Sequence, residues 1–341
     1  MGVTIREVAA RAGVSVATVS RVLNDRPDVA APIRRRVLDA AAELHYQPNR
    51  AARSLRTRAT KVLGCMIADV TNPFFTAIAR GVEDAAQQAG YSVLLANTDE
   101  ELPKEQRYLE VAVAERLAGV VLSPASSTAT DLSVLAGAGI PVVAVDRRLQ
   151  GAAVDSVTVN NFRAASEATW HLIEQGCERV AFLGGPPSTT TGARRLAGYR
   201  AAIRQAGRPD APELVVRGDF RVEGGRQAMT TLLETTDFDG VLVANGPMTL
   251  GAMEVLADRG RVVPDQVAVV SFDEDSWARA HRPTLSVVAQ PTYEIGQRAA
   301  QLLLERIGDP GLEPRRLVLP ATLHVRASSL RRVDLTTAHA S

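Results

Sequence analysis

Along the first 45 residues, apolar positions recur at the spacing of short helices. Ile5, Val8, Ala9 and Ala12 stand three and four apart, which predicts a helix over these residues. Thr4 and Glu7 form a capping box at its start, with the Thr4 hydroxyl accepting from a first-turn amide and Glu7 reaching back to the Thr4 amide. Gly13 ends the helix, because glycine accepts the left-handed conformation of a helix terminus. Ser15 then caps a second helix running through Asn24, with Val14, Val19 and Val22 or Leu23 inside and Val16, Ala17, Ser20 and Arg21 outside. A third helix follows Pro32, which its first turn tolerates. Ile33, Val37, Ala41 and Leu44 make its inner face, and Arg34, Arg35 and Arg36 its outer face.

From Val62 the pattern changes. Short apolar runs ("VLGCMIA", "YSVLLAN", "GVVLSPA", "IPVVAVD") alternate with helical stretches near 74–89, 103–117 and 131–138. A second set ("RVAFLGG", "LVVRGD", "GVLVAN", "VAVVSFD") alternates with helices near 162–175, 193–206, 222–234 and 248–259. Repeated βα units imply parallel sheets with helices on both faces. The two sets echo each other, so an α/β body of two Rossmann-like lobes is expected, the first near residues 62–146. "VTVN", the stretch near Val287 and "LVLPATLHV" are the expected crossings between lobes. Ligands in such folds meet the carboxyl ends of the strands. Those ends carry Asn72, Phe74 and Phe75; Asp146 and Arg147; Asn245; Asp273; and Gln290, with Arg195 opening a helix after a polar loop. Each sugar hydroxyl donates and accepts, so a polyhydroxyl suits Asp on one side and Arg or Asn on the other, with an aromatic ring on its carbon face. The same set would also hold a purine base or nucleoside.

Charge divides the chain at the same place. Residues 1–61 contain twelve basic and five acidic residues, whereas residues 62–341 contain 27 and 33. A basic head suits nucleic-acid phosphate and an acidic body does not. Helix, glycine turn and helix, with short residues and an Arg facing out, predict a helix-turn-helix whose second helix enters the major groove. Other chemistry has little support. Cys65 and Cys177 form no metal or disulfide motif, and His45, His171, His281, His324 and His339 are scattered. No catalytic motif, signal segment or membrane-length apolar run is present in the sequence, so a non-enzymatic cytoplasmic protein without cofactor or metal is expected.

"TIREVAARAGVSVATVSRVLN" followed by "YQPNRAARSL" closely resembles the headpiece of the LacI/GalR family of bacterial transcription regulators, and the resemblance runs from Thr4 to about Ser329. It implies a helix-turn-helix headpiece over 1–47, a hinge over 48–61, a periplasmic-binding-protein-like core over 62–329 and a disordered tail over 330–341. It places Val16, Ala17 and Arg21 at base-reading positions and Ser15, Thr18, Ser20 and Asn24 on phosphates. Thr4, Asn49, Arg50, Ala52 and Arg53 complete the candidate DNA contacts, and Leu55 matches a residue that wedges between bases in the minor groove. The hinge, short and polar, also reads as a flexible linker off DNA. The resemblance further implies a homodimer on a near-palindromic operator and a ribose-type sugar held by Phe74, Phe75, Asp146, Arg147, Arg195, Asn245, Asp273 and Gln290, with Asn72 beside them at the first strand end; the residues after Arg326 carry no apolar heptad, so no tetramer-forming tail is expected. Two positions depart from the family: Ala30 replaces a helix-capping Ser, and Gly246 removes a carboxylate.

Overall fold

The computed structural model describes residues 3–23, 26, 28–46 and 60–331. Asn24, Asn49, Arg50, Ala52, Arg53, Leu55 and the tail from 332 onward lie outside the described residues. The chain divides into two compact units between Thr60 and Lys61.

The first unit contains α1 (Ile5–Ala12), α2 (Val16–Leu23) and α3 (Ala31–Glu43). Val8, Val19, Val22 and Val37 are buried together between them, with Ile33 and Leu44 only half-buried. Glu7 accepts from the Thr4 amide at 2.6 Å, and the Thr4 hydroxyl donates to the same carboxylate oxygen at 2.8 Å. Gly13 adopts φ 63° and closes α1. Ser15 Oγ accepts from Thr18 N at 3.1 Å and so caps α2. No side chain caps α3, whose preceding residue is Ala30. Arg35 and Arg36 are exposed as expected, and Arg34 is half-buried. Arg36 curls back so that Nη2 donates to Ala12 O at 2.7 Å and Gly13 O at 3.2 Å, placing its charge on the negative end of α1. Arg34 Nη2 donates to Arg26 O at 2.5 Å.

The second unit holds two six-stranded sheets. The first runs β11-β5-β4-β3-β1-β2, all parallel, from β1 (Val62–Ile67), β2 (Ser92–Asn97), β3 (Gly119–Leu122), β4 (Val142–Val145), β5 (Asp155–Val159) and β11 (Arg316–Leu319). Side chains alternate across it. Leu63, Cys65 and Ile67 face a core shared with α4 (Pro73–Gln88) and α12 (Thr292–Gly308), while Met66 faces α5 (Leu102–Ala114) and α6 (Ser133–Ala138). Burial on both faces explains the continuous apolar runs. The second sheet runs β12-β10-β9-β8-β6-β7, from β6 (Val180–Gly184), β7 (Val215–Arg217), β8 (Gly240–Val243), β9 (Ala268–Phe272), β10 (Ser286–Ala289) and the antiparallel β12 (Thr322–His324). Against it pack α7 (Asn161–Glu174), α8 (Thr190–Gln205), α9 (Val222–Thr235), α10 (Gly246–Asp258) and the short α11 (Ser276–Ala280).

The chain crosses between lobes after β5, after β10 and between β11 and β12. The first lobe therefore does not end near 146: it includes β5 and takes back α12 and β11. The sequence reading omitted α12. Its Ile295, Ala299, Ala300 and Leu303 lie in the first lobe's core. It seats closely on α4 through reciprocal glycines, for a Cβ on Gly81 would lie 2.1 Å from Tyr293 O and one on Gly296 would lie 2.0 Å from Ile78 O.

Candidate functional site: an exposed recognition helix and a cleft between lobes

In the first unit, Val16, Ala17 and Arg21 project from α2 into solvent and Ser20 is half-buried. Val16 is 41% exposed, a value its burial-seeking side chain would not adopt as packing. Arg21 is held only loosely, 4.0 Å from the Asp28 carboxylate with both side chains exposed. Ser15 and Thr18 share a hydroxyl contact of 2.9 Å at the start of the helix. The face thus presents two small apolar groups and one guanidinium, the chemistry that meets a thymine methyl and a guanine edge.

In the second unit, one cleft brings together all nine residues read from the strand ends: Asn72, Phe74, Phe75, Asp146, Arg147, Arg195, Asn245, Asp273 and Gln290. The two lobes build it by the same device. Asp146 follows β4 at φ 64° and its N–H donates to Val157 O of β5; Asp273 follows β9 at φ 73° and its N–H donates to Val288 O of β10. Asp tolerates this left-handed backbone better than most residues, and the turn delivers one carboxylate from each lobe.

Two buried arginines stand with them. Arg147 donates to Pro124 O at 3.0 Å and to Glu100 Oε1 at 2.6 Å, and its Nε lies 3.3 Å from the Asp146 carboxylate. Arg195 donates through Nε to Asn161 Oδ1 at 2.6 Å and through Nη1 to Ala244 O, with its guanidinium 4.0 Å above the Phe272 ring. Burial pushes Asp146 up to about 6, opposed by Arg147 and Arg195. Burial likewise pushes Asp273 up to about 6, opposed chiefly by Arg195 and reinforced by Asp275. Gln290 Nε2 donates to Asp273 Oδ1 at 2.6 Å, while Gln290 Oε1 and Arg147 Nε are buried without a hydrogen-bond partner.

The two asparagines do structural work. Asn72 Oδ1 caps α4 by accepting from Phe74 N at 3.0 Å. Asn245 Oδ1 caps α10 by accepting from Met248 N at 3.0 Å, and its Nδ2 donates to Phe220 O at 2.8 Å. Phe74 and Phe75 pack edge to face, centroids 5.0 Å apart, and belong to the first lobe's core, so little of either ring face is open.

Three lining residues were not read from the sequence: Glu100, Thr191 and Phe220. Glu100 follows β2 and Phe220 follows β7, so the strand-end rule that found Asp146 would have reached both. Phe220 holds φ 67°, a costly backbone for a bulky residue. Its ring lies 5.7 Å from the Arg147 guanidinium and so spans the lobes. Other bonds also join them: Ser127 N to Ser188 O at 3.0 Å, Thr190 N to Ser127 Oγ at 2.8 Å and Arg221 Nη2 to Asp99 O at 3.0 Å. The free space at the cleft is about 20 Å³, enough for roughly one water.

Comparison with known proteins agrees with both halves. Residues 4–49 match the model for bacterial regulatory proteins of the lacI family, and residues 169–329 match that for a periplasmic binding protein-like domain. The ribose operon repressor of Halalkalibacterium halodurans is 36% identical over 96% of this chain and 97% of its own. Among solved structures, the transcriptional regulator CelR–cellobiose complex superposes with a TM-score of 0.74 at 35% identity, over 96% of this chain and 99% of that one. The lac repressor dimer bound to operator and an anti-inducer superposes with a TM-score of 0.85 at 27% identity, over 97% of this chain and all of that one. The chain belongs to the lacI family of bacterial regulatory proteins.

Proposed function

We propose that the protein is a sequence-specific transcriptional repressor, not an enzyme, acting in the bacterial cytoplasm on operator DNA under control of a small sugar. Val16, Ala17 and Arg21 read base edges, with Ser15, Thr18 and Ser20 toward the phosphates. The observation that carries the effector reading is the orphaned buried acceptor at the cleft, Gln290 Oε1. It lacks a donor, and a hydroxyl supplies one. A relative named for the ribose operon and a neighbour bound to cellobiose support a sugar. A ribose-type pentose remains the leading choice, with a purine base or nucleoside as the alternative. The closed packing of Phe74 and Phe75 weighs against base stacking.

Because the lobes stand close in this conformation, a sugar enters only if they part. Entry therefore changes the lobe angle, and that change is what the headpiece would sense. A homodimer is supported by the first lobe's edge strand β2, which exposes Leu94 and Leu95, with Val70 and Val111 also exposed on that lobe.

Calorimetry with ribose, other free sugars and nucleosides tests the effector, followed by operator binding with each hit. A sugar should bind, and Asp273→Ala and Arg195→Ala should each abolish its effect on operator affinity while leaving operator binding by the free protein intact. Binding of a purine and of no sugar would select the alternative. No affinity for any DNA above the non-specific level would refute the repressor reading.

A further inference from the structure

Beside the cleft lies a second, larger opening of about 760 Å³, within the range of ligand sites. Its walls come from both lobes: Arg148, Thr158 and Arg316 from the first, Thr190 and Arg194 from the second. Its lining holds three arginines, all exposed, and a single acid, Asp146, which also lines the cleft. No ion pair joins Arg148, Arg194 or Arg316 to a carboxylate among the described residues. Arg148 contributes its backbone N–H to Thr190 Oγ1 at 3.0 Å, Arg194 lies 5.2 Å from the Phe162 ring, and Arg316 pairs through its backbone with Ser156.

Two more features point inward. Thr158 is only 6% exposed, and its hydroxyl has no hydrogen-bond partner among the described residues. It is the register partner of Val318 on β11; side chains so paired share a sheet face, and both line the opening. The helices α7 and α8, of 14 and 16 residues, also begin here, since Asn160, Asn161 and Thr190 line it, so their positive ends add to the guanidiniums.

We propose that this opening is a regulatory site for a small, multiply charged anion of the phosphate or carboxylate class, which bridges Arg194 of the second lobe to Arg148 and Arg316 of the first. Several charges are required because the guanidiniums approach from different elements. A bridging anion fastens the lobes together and places its charge against Asp146, so it acts on the cleft from behind. The proposal is independent of which sugar or base the cleft takes.

The test uses the full chain with pyrophosphate and with citrate, each compared with sodium chloride at equal ionic strength, by thermal shift and calorimetry. Saturable binding and a raised Tm are expected with at least one of the two; which one acts assigns phosphate or carboxylate. The double variant R194Q/R316Q should weaken binding about tenfold or more, as charge-assisted hydrogen bonds are lost. Its Tm in chloride should stay that of the parent, because neither guanidinium has an acidic partner to lose. Should it melt lower, Arg148→Gln takes its place with the same expectation. Asp273→Ala, in the cleft, should keep the response. No binding beyond chloride, undiminished binding in the arginine variants, or loss of the response in Asp273→Ala would each overturn the proposal.

Discussion

The Asp275 carboxylate fills the space that a side chain at position 246 would need: a Cβ on Gly246 would lie 2.2 Å from Asp275 Oδ2. Asp275 is buried and takes a hydrogen bond from Trp277 Nε1 at 3.2 Å, so it cannot swing aside freely. Gly246 is also the first residue of α10, directly after the helix cap Asn245. The glycine that departs from the family pattern is thus matched to an acid two residues beyond the cleft's own Asp273. Gly246→Ala should cost about 1–3 kcal/mol through overpacking, despite alanine's better helix propensity. In Gly246→Ala/Asp275→Ala the cost should fall below the sum of the single effects. Denaturant titration of the four proteins measures this, and additive costs would show that the two positions are not coupled.

Effector affinity should depend on pH through Asp146 and Asp273. Both are pushed up to about 6, from 3.8, by burial. Raised folded-state values mean that their contribution to stability is complete below 3.8 and is lost as pH rises through 6. A hydroxyl donating to either carboxylate favours the charged form. Binding therefore releases protons, and affinity should rise from about pH 5 to about pH 7 and then level off. Glu274 does not blur this window, because Arg279 and Arg326 hold it at about 2 against its burial. Calorimetry across this range checks the slope, and Asp273→Asn should flatten it. A flat profile in the parent protein would mean that the effector does not donate to these groups.

Much of the cleft was legible because strand ends are marked in sequence by where an apolar run stops. Asp146 and Asp273 both fall at such stops. Phe220 also follows a strand end, but nothing in the sequence marks its φ of 67° after a three-residue edge strand, which is what brings its ring to the cleft. The roles of Asn72 and Asn245 were also hidden, since a strand-end Asn can cap the next helix or face a ligand, and the choice depends on a few tenths of an ångström. The lobe boundary was misplaced because α12, though periodic, carries no mark of which sheet it covers. Likewise, periodicity put Arg36 on the outer face, but only the position of α1 shows that its guanidinium folds back.

That fold-back separates two kinds of arginine in the headpiece. Arg36 binds the carbonyls that end α1, so Arg36→Ala should destabilise the unit by about 1–2 kcal/mol, the range for a charge at a helix terminus plus its hydrogen bonds. Arg21 supports no such contact, so Arg21→Ala should leave thermal stability unchanged. It should instead cost about 1–3 kcal/mol of preference for operator over unrelated DNA, with salt-dependent non-specific binding retained. Melting curves and competition binding separate the two effects. Equal loss of specific and non-specific affinity in Arg21→Ala would make it a phosphate contact.

The edge of the first sheet gives the last prediction. Leu94 and Leu95 are 40% and 47% exposed on β2, an outer strand with one unpaired side. Adjacent residues on a strand point to opposite faces, so both faces of this edge are apolar at the same level. An isolated monomer would normally protect such an edge with charge, whereas a second copy would cover it. Leu95→Lys should therefore shift the protein from dimer to monomer in sedimentation at micromolar concentration. The variant's own fold should persist, because an exposed position loses little packing. Operator affinity should fall steeply while binding of the effector to the cleft remains, since the cleft is built within one chain. If Leu95→Lys stayed dimeric with full operator affinity, the two copies would have to meet through another face.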